Sequence, residues 1–102
     1  MRGFSTWPFT QDTEKEIRED AARSYYWPVV VQRKNLVAFT ETLATKIVFV
    51  KGRRGGVYAK GVEVVTADNQ TRTIYANDEV ILAAGSISSP ALLELSDIGN
   101  PA

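Results

Sequence analysis

Hydrophobic residues follow three different patterns in turn along this chain. From Asp12 to Trp27 they are sparse. Ile17, Ala21 and Ala22 share one helical stripe with Glu14, while Arg18, Arg23 and Ser24 lie off it. The spacing predicts a helix that starts near Gln11 or Asp12 and has a thin apolar face. Asp12 is its expected N-cap, and Glu14 and Glu16 stand where a helix start favours negative charge. Tyr25, Tyr26 and Trp27 follow, and Pro28 is expected to stop the helix. Met1 to Thr10, with Gly3, Trp7 and Pro8, reads as irregular.

The pattern then turns β-like. Val29, Val30 and Val31 are β-branched, Gln32 to Asn35 is a polar turn, and Leu36 to Thr40 reads as a short strand. Three longer strands are predicted over Lys46–Lys51, Val57–Thr66 and Thr71–Ala76. Gly52 to Gly56 separates the first two, and Ala67-Asp68-Asn69-Gln70 separates the last two with Asp and Asn as turn formers. Residues 46–76 should therefore form a three-stranded antiparallel meander.

From Glu79 the alternation disappears. Val80 to Ala84 is continuously apolar and runs into Gly85, the pattern of a strand buried on both faces in a parallel sheet. Ser86, Ser88, Ser89 and Pro90 then signal a helix start with Pro near the first turn. Ala91, Leu92, Leu93 and Leu95 continue that helix, which should end by Ser96-Asp97-Ile98-Gly99. The fold class expected is α/β, or α+β for the chain in isolation. Residues 1–34 form an irregular segment and helix, and residues 35–102 form a partial domain holding the meander (46–76) and the strand–turn–helix unit (79–99). A parallel strand needs neighbours, and no second βαβ unit is present to supply them. The expectation is a section of a larger α/β protein.

Composition narrows the chemistry. The 102 residues carry 12 Lys+Arg and 12 Asp+Glu, so no basic excess points to nucleic acid. With no Cys and no His, thiolate metal sites, Cys nucleophiles and the Ser-His-Asp triad are all excluded. No apolar run approaches the roughly 20 residues of a membrane span. Residues 1–30 lack a charged-then-apolar leader pattern. Neither nucleic acid nor a membrane is therefore an expected partner, and cellular location stays open.

Several local features carry candidate chemistry. The run Val80 to Ser86 would end a strand with small residues and glycine, letting a backbone approach a nucleotide, with a helix start behind it. The plain alternative is a buried strand with small residues chosen for packing. It is not a G-x-G-x-x-G loop. Gly52-Arg53-Arg54-Gly55-Gly56 resembles a phosphate turn only superficially, because a strand rather than a helix follows it. Trp7, Tyr25, Tyr26 and Trp27 suit packing better than base stacking. Glu14, Glu16, Glu19 and Asp20 fit a solvated helix face with Glu14–Arg18 and Glu19–Arg23 pairs. Ser86, Ser88 and Ser89 have no histidine to activate them.

The stretch Gly85-Ser86-Ile87-Ser88-Ser89-Pro90-Ala91-Leu92-Leu93-Glu94-Leu95-Ser96-Asp97-Ile98-Gly99 resembles the second signature of the glucose–methanol–choline (GMC) oxidoreductases, Gly-Ser-x-x-Ser/Thr-Pro-x-aliphatic-aliphatic-x-x-Ser-Gly-aliphatic-Gly. Asp97 departs from it, standing where the family has glycine. Glu79 to Gly85 resembles the strand before that signature. Asp20 to Pro28, Arg33 to Leu36 and Thr42 to Ile47 resemble fungal members related to glucose oxidase and aryl-alcohol oxidase. The resemblance covers roughly residues 18–102.

It implies a flavoenzyme with an FAD-binding lobe of Rossmann-like type and a substrate lobe, oxidising an alcohol or sugar by hydride transfer to the flavin. A C-terminal histidine base and a glycine-rich phosphate loop belong to that pattern, and neither is in this chain. The chain would be the middle of the FAD lobe, inactive alone, from a parent that fungal relatives suggest is secreted. Ala44 matches a position whose backbone contacts the adenine edge. Ala84, Gly85 and Ser86 match the strand end beside the adenosine half of FAD. Expected partners are FAD, the parent's alcohol or sugar substrate, and other chains through an exposed sheet edge. At Asp97 a positive φ is expected, at a cost of about 1 kcal/mol for a residue with a Cβ. The alternative is a free-standing, non-catalytic α+β binding module.

Overall fold

The computed structural model describes residues 9–53 and 55–99. The expectations for residues 1–8 (Trp7 among them), for Arg54 and for residues 100–102 lie outside the described residues. The chain divides into two compact units, one ending at Ala38 and the other beginning at Phe39.

In the first unit the helix expected from Asp12 to Trp27 does not form. Strands β1 (Gln11–Asp12) and β2 (Ile17–Arg18) pair antiparallel instead, Gln11 opposite Arg18 and Asp12 opposite Ile17. Asp12 is a turn residue rather than a helix cap. Its Oδ1 accepts the N–H groups of Glu14 at 3.0 Å and Lys15 at 3.1 Å. These two bonds, from Lys15 and then Glu14, hold the Asp12 carboxyl below its ordinary pKa.

Helical winding starts only at Asp20, whose Oδ1 accepts the Arg23 N–H at 2.9 Å. A π-helical turn follows over Ala22–Tyr26, closed by Trp27 N–H to the Ala22 carbonyl at 2.8 Å. Pro28 does not stop the winding, because Val30 N–H reaches the Tyr26 carbonyl and Arg33 N–H the Val29 carbonyl. Val29 to Val31 thus lie in turns, and Leu36 to Thr40 has no strand partner among the described residues.

The predicted Glu14–Arg18 and Glu19–Arg23 pairs do not form either. Lys15 pairs with Asp12 at 3.3 Å, Arg23 with Asp20 at 3.8 Å, and Glu19 accepts the Ser24 hydroxyl. The physical reason lies in the thin apolar face. No residue of the π-helical turn is buried, so nothing repays helix nucleation, and local bonds from Asp side chains to the backbone win.

In the second unit the meander forms as the pattern predicts. Strands β3 (Leu43–Lys51), β4 (Val57–Val65) and β5 (Thr71–Tyr75) are antiparallel, with β4 in the centre. The pairing register shifts twice, leaving Thr45 as an extra residue on β3 and Lys60 as one on β4. The first turn closes with Gly52 N–H to the Gly56 carbonyl at 2.7 Å. In the second, Thr66 N–H meets the Gln70 carbonyl at 3.0 Å, and Asn69 takes the left-handed conformation with φ 59°. Gly61 is demanded by space. A Cβ there would stand 2.4 Å from the Ile74 carbonyl oxygen on β5.

Helix α1 (Gly85–Glu94) packs on β3. Ile47, Val64 and Leu92 make the buried core. The helix begins at Gly85, earlier than the serine–proline signal implies, so Pro90 lies inside it rather than in its first turn. The buried strand expected over Glu79–Ala84 is not formed. The segment has no ladder partner among the described residues, and Ile81 is 79% exposed. Apolar content makes a segment compatible with a buried strand, but only neighbouring strands make it one.

Candidate functional site

The start of β3 and the face of α1 enclose an open cleft of about 450 Å³. Leu43 and Ala44 form one wall, Ile87, Ala91, Leu92 and Leu95 the other, and Ala84 sits where helix and preceding segment meet. A second hollow of about 340 Å³ shares Ala44, Ala84 and Leu92 and extends along Val80 to Ala83. Of the four residues singled out from sequence, the structure therefore brings Ala44 and Ala84 together. Gly85 and Ser86 begin α1 beside Ala84 and do not line the cleft.

Gly85 has φ 90°, a conformation that favours glycine. A Cβ built there would meet no atom of the described residues within 4 Å, so this point of the backbone is open on that side. Ala84, the helix N-cap, has no side-chain capping bond, and its own N–H is taken by Ser89 Oγ at 2.9 Å. The N–H groups of the first turn are thus left without intrahelical partners.

The other end of α1 is fixed by Ser96 and Asp97, which stand in the sequence as members of the longer motif. Ser96 is 3% exposed. Its Oγ accepts the Ile47 N–H of β3 at 2.7 Å and donates to the Leu92 carbonyl at 2.5 Å. Ile98 N–H to the Leu93 carbonyl and Asp97 N–H to the Glu94 carbonyl complete a Schellman cap with Asp97 at its left-handed position, φ 63°. The positive φ expected at Asp97 is present, and its carboxylate meets Lys46 of β3 at 2.9 Å. The signal for Ser96 in sequence was slight: one small polar residue at the end of an apolar helix.

Among the described residues, no titratable side chain lines the 450 Å³ cleft. Its volume lies in the range of about 300–1,000 Å³ usual for small-molecule sites. Such walls can recognise a flat apolar group but cannot transfer a proton. The acidic residues of the first unit form no metal cluster among the described residues.

The cleft is thus an apolar slot beside a helix start, with no acid–base group among the described residues that line it. The model of the GMC oxidoreductase family matches residues 2–102, and the chain belongs to that family. The matched N-terminal domain is the one that binds FAD in these oxidoreductases. A glucose oxidase-like protein of Humicola fuscoatra is 43% identical over 89 residues, covering 85% of this chain and 15% of its own length. Human mitochondrial choline dehydrogenase is 45% identical over 83 residues, covering 81% of this chain and 13% of its own. Glucose oxidase of Aspergillus carbonarius is 41% identical over 97 residues, covering 95% of this chain and 16% of its own. The chain thus spans about a sixth of the length of such curated relatives.

Proposed function

We propose that the cleft between β3 and α1 receives the adenosine end of FAD in a GMC-type oxidoreductase of Rossmann-like lobe architecture. The observation that carries this is the convergence of Ala44 and Ala84, distant in sequence, on one cleft without charge. Small side chains leave room for a ring system, and the open side of Gly85 leaves the backbone accessible where α1 begins. Ser86 would contribute through its place in the first turn of α1, where backbone N–H groups suit phosphate. The residues present thus fit the adenosine half of the cofactor. When bound, FAD supplies a hydride acceptor for oxidation of an alcohol or sugar CH–OH group.

The chain's own part is to bind and orient. It holds no histidine to act as base and no G-x-G-x-x-G loop for the pyrophosphate. The isolated chain is therefore expected to turn over no alcohol and to lose FAD on gel filtration. The test is titration of the ¹⁵N-labelled chain with AMP, followed by NMR. Shifts confined to Ala44, Ala84, Gly85, Ser86 and their neighbours are expected. Shifts elsewhere, or alcohol oxidation by the chain with added FAD, would overturn the proposal.

A further inference from the structure

Two side-chain hydrogen bonds join the segment that contains α1 to β3 among the described residues. One is the exposed Lys46–Asp97 pair, and the other is Ser96. The exposed pair contributes little, because both ends are solvated. Ser96 is different, being buried and bonded on both sides. Its donor partner, Ile47, lies on β3 three residues beyond Ala44 and lines the smaller hollow. Its acceptor partner, Leu92, lines both hollows from the opposite wall. One hydroxyl therefore ties the strand that carries Ala44 to the helix that follows Ala84.

The Ile47 N–H points away from β4, along the outer edge of β3. Without Ser96 that buried donor would lose its acceptor, and the segment would keep only apolar contact and the exposed Lys46–Asp97 pair. Apolar contact resists separation but tolerates sliding, because it is non-directional. A hydrogen bond at 2.7 Å fixes both spacing and register.

We infer that Ser96 is a positioning residue for the nucleotide: by latching the end of α1 to Ile47 it sets the width of the cleft at Ala44 and Ala84, and through that the affinity for the adenosine moiety. This rests on the adenosine assignment made above. The latch itself touches no nucleotide. By reciprocity, a ligand that needs the latch closed must also hold it closed.

The experiment uses the full chain with AMP as the probe and needs no variant for its first arm. Saturating AMP should slow hydrogen exchange at the Ile47 amide while the Ala44 and Ala84 signals shift. Shifts at Ala44 and Ala84 with unchanged Ile47 exchange would sink the latch and leave the adenosine assignment standing. No shift at either alanine would overturn both. In the second arm, Ser96→Ala should weaken AMP binding about tenfold, the order expected when an ordinary buried hydrogen bond is lost from the bound state. Ser96→Thr, which keeps the Oγ, should restore most of the affinity. Gly61→Ala, which strains the sheet away from the cleft, should lower stability while leaving the affinity of folded molecules unchanged. Equal affinity in Ser96→Ala and the parent chain, or equal weakening in Gly61→Ala, would reduce Ser96 to a general stabiliser.

Discussion

Single residues decide how closely the elements of the second unit approach. At Gly61 there is no room for a methyl group, since the atom it would meet is the Ile74 carbonyl oxygen, part of the backbone. Gly61→Ala should therefore destabilise the chain by roughly 1–3 kcal/mol, the usual cost of overpacking, as a lower midpoint in urea unfolding. Asp97 presents the opposite case. It holds the left-handed position of the α1 cap with φ 63°, where glycine is free of the Cβ penalty. Its bond to Lys46 offsets part of that cost, but the Asp97 side chain is 85% exposed, so the offset is small. Asp97→Gly should stabilise by up to about 1 kcal/mol, raising the urea midpoint. A Lys46→Ala variant showing a larger loss than Asp97→Gly shows a gain would contradict that weighting.

At the scale of elements, turns were the most legible features. Asp68 and Asn69 marked the β4–β5 turn, and the structure uses both. Asn69 supplies the positive φ, and the Thr66 hydroxyl donates to the Asp68 carboxylate. That bond is the main cause holding the Asp68 carboxyl below its ordinary 3.8. A depressed folded-state value contributes stability above the unfolded value, and the contribution disappears as pH falls through the folded one. The turn should accordingly loosen as pH drops below about 4, with faster amide exchange at Asn69 and Gln70. Asp68→Asn should flatten that dependence, and an unchanged pH profile in the variant would count against the Thr66 bond. The cues around Asp12 are shared between a helix start and a turn, and the chain takes the turn. An Asp two or three residues before free N–H groups caps a helix or an Asx turn equally well. Helix α1 was legible because its apolar residues find β3 to pack on.

At the scale of the whole molecule, the second unit buries little and exposes much. Ile47, Val64 and Leu92 are buried, while Ile81, Ile87, Leu43 and Leu95 are at least 65% exposed around the cleft and the segment before α1. Surface of this kind attracts apolar partners. The isolated chain is expected to enhance the fluorescence of an apolar dye and to sediment above its monomer mass of 11.3 kDa. A dye-silent monomer with a sharp cooperative melt would favour a self-sufficient binding module over a section of a flavoenzyme lobe.

The residues alone determined the meander, its two turns, a helix after the glycine turn though not its start at Gly85, the positive φ at Asp97 and membership of the GMC family. Each depends on short-range signals: strand alternation, turn formers, or a motif whose spacing is written in the chain. The tertiary structure alone decided that Asp12 to Trp27 winds into a hairpin and a π turn, and that Val80 to Ala84 stays unpaired. It alone brought Ala44 to Ala84 and gave Ser96 its place between Ile47 and Leu92. Those outcomes depend on which surfaces find a partner, and a residue's burial is a property of its neighbours as much as of its side chain.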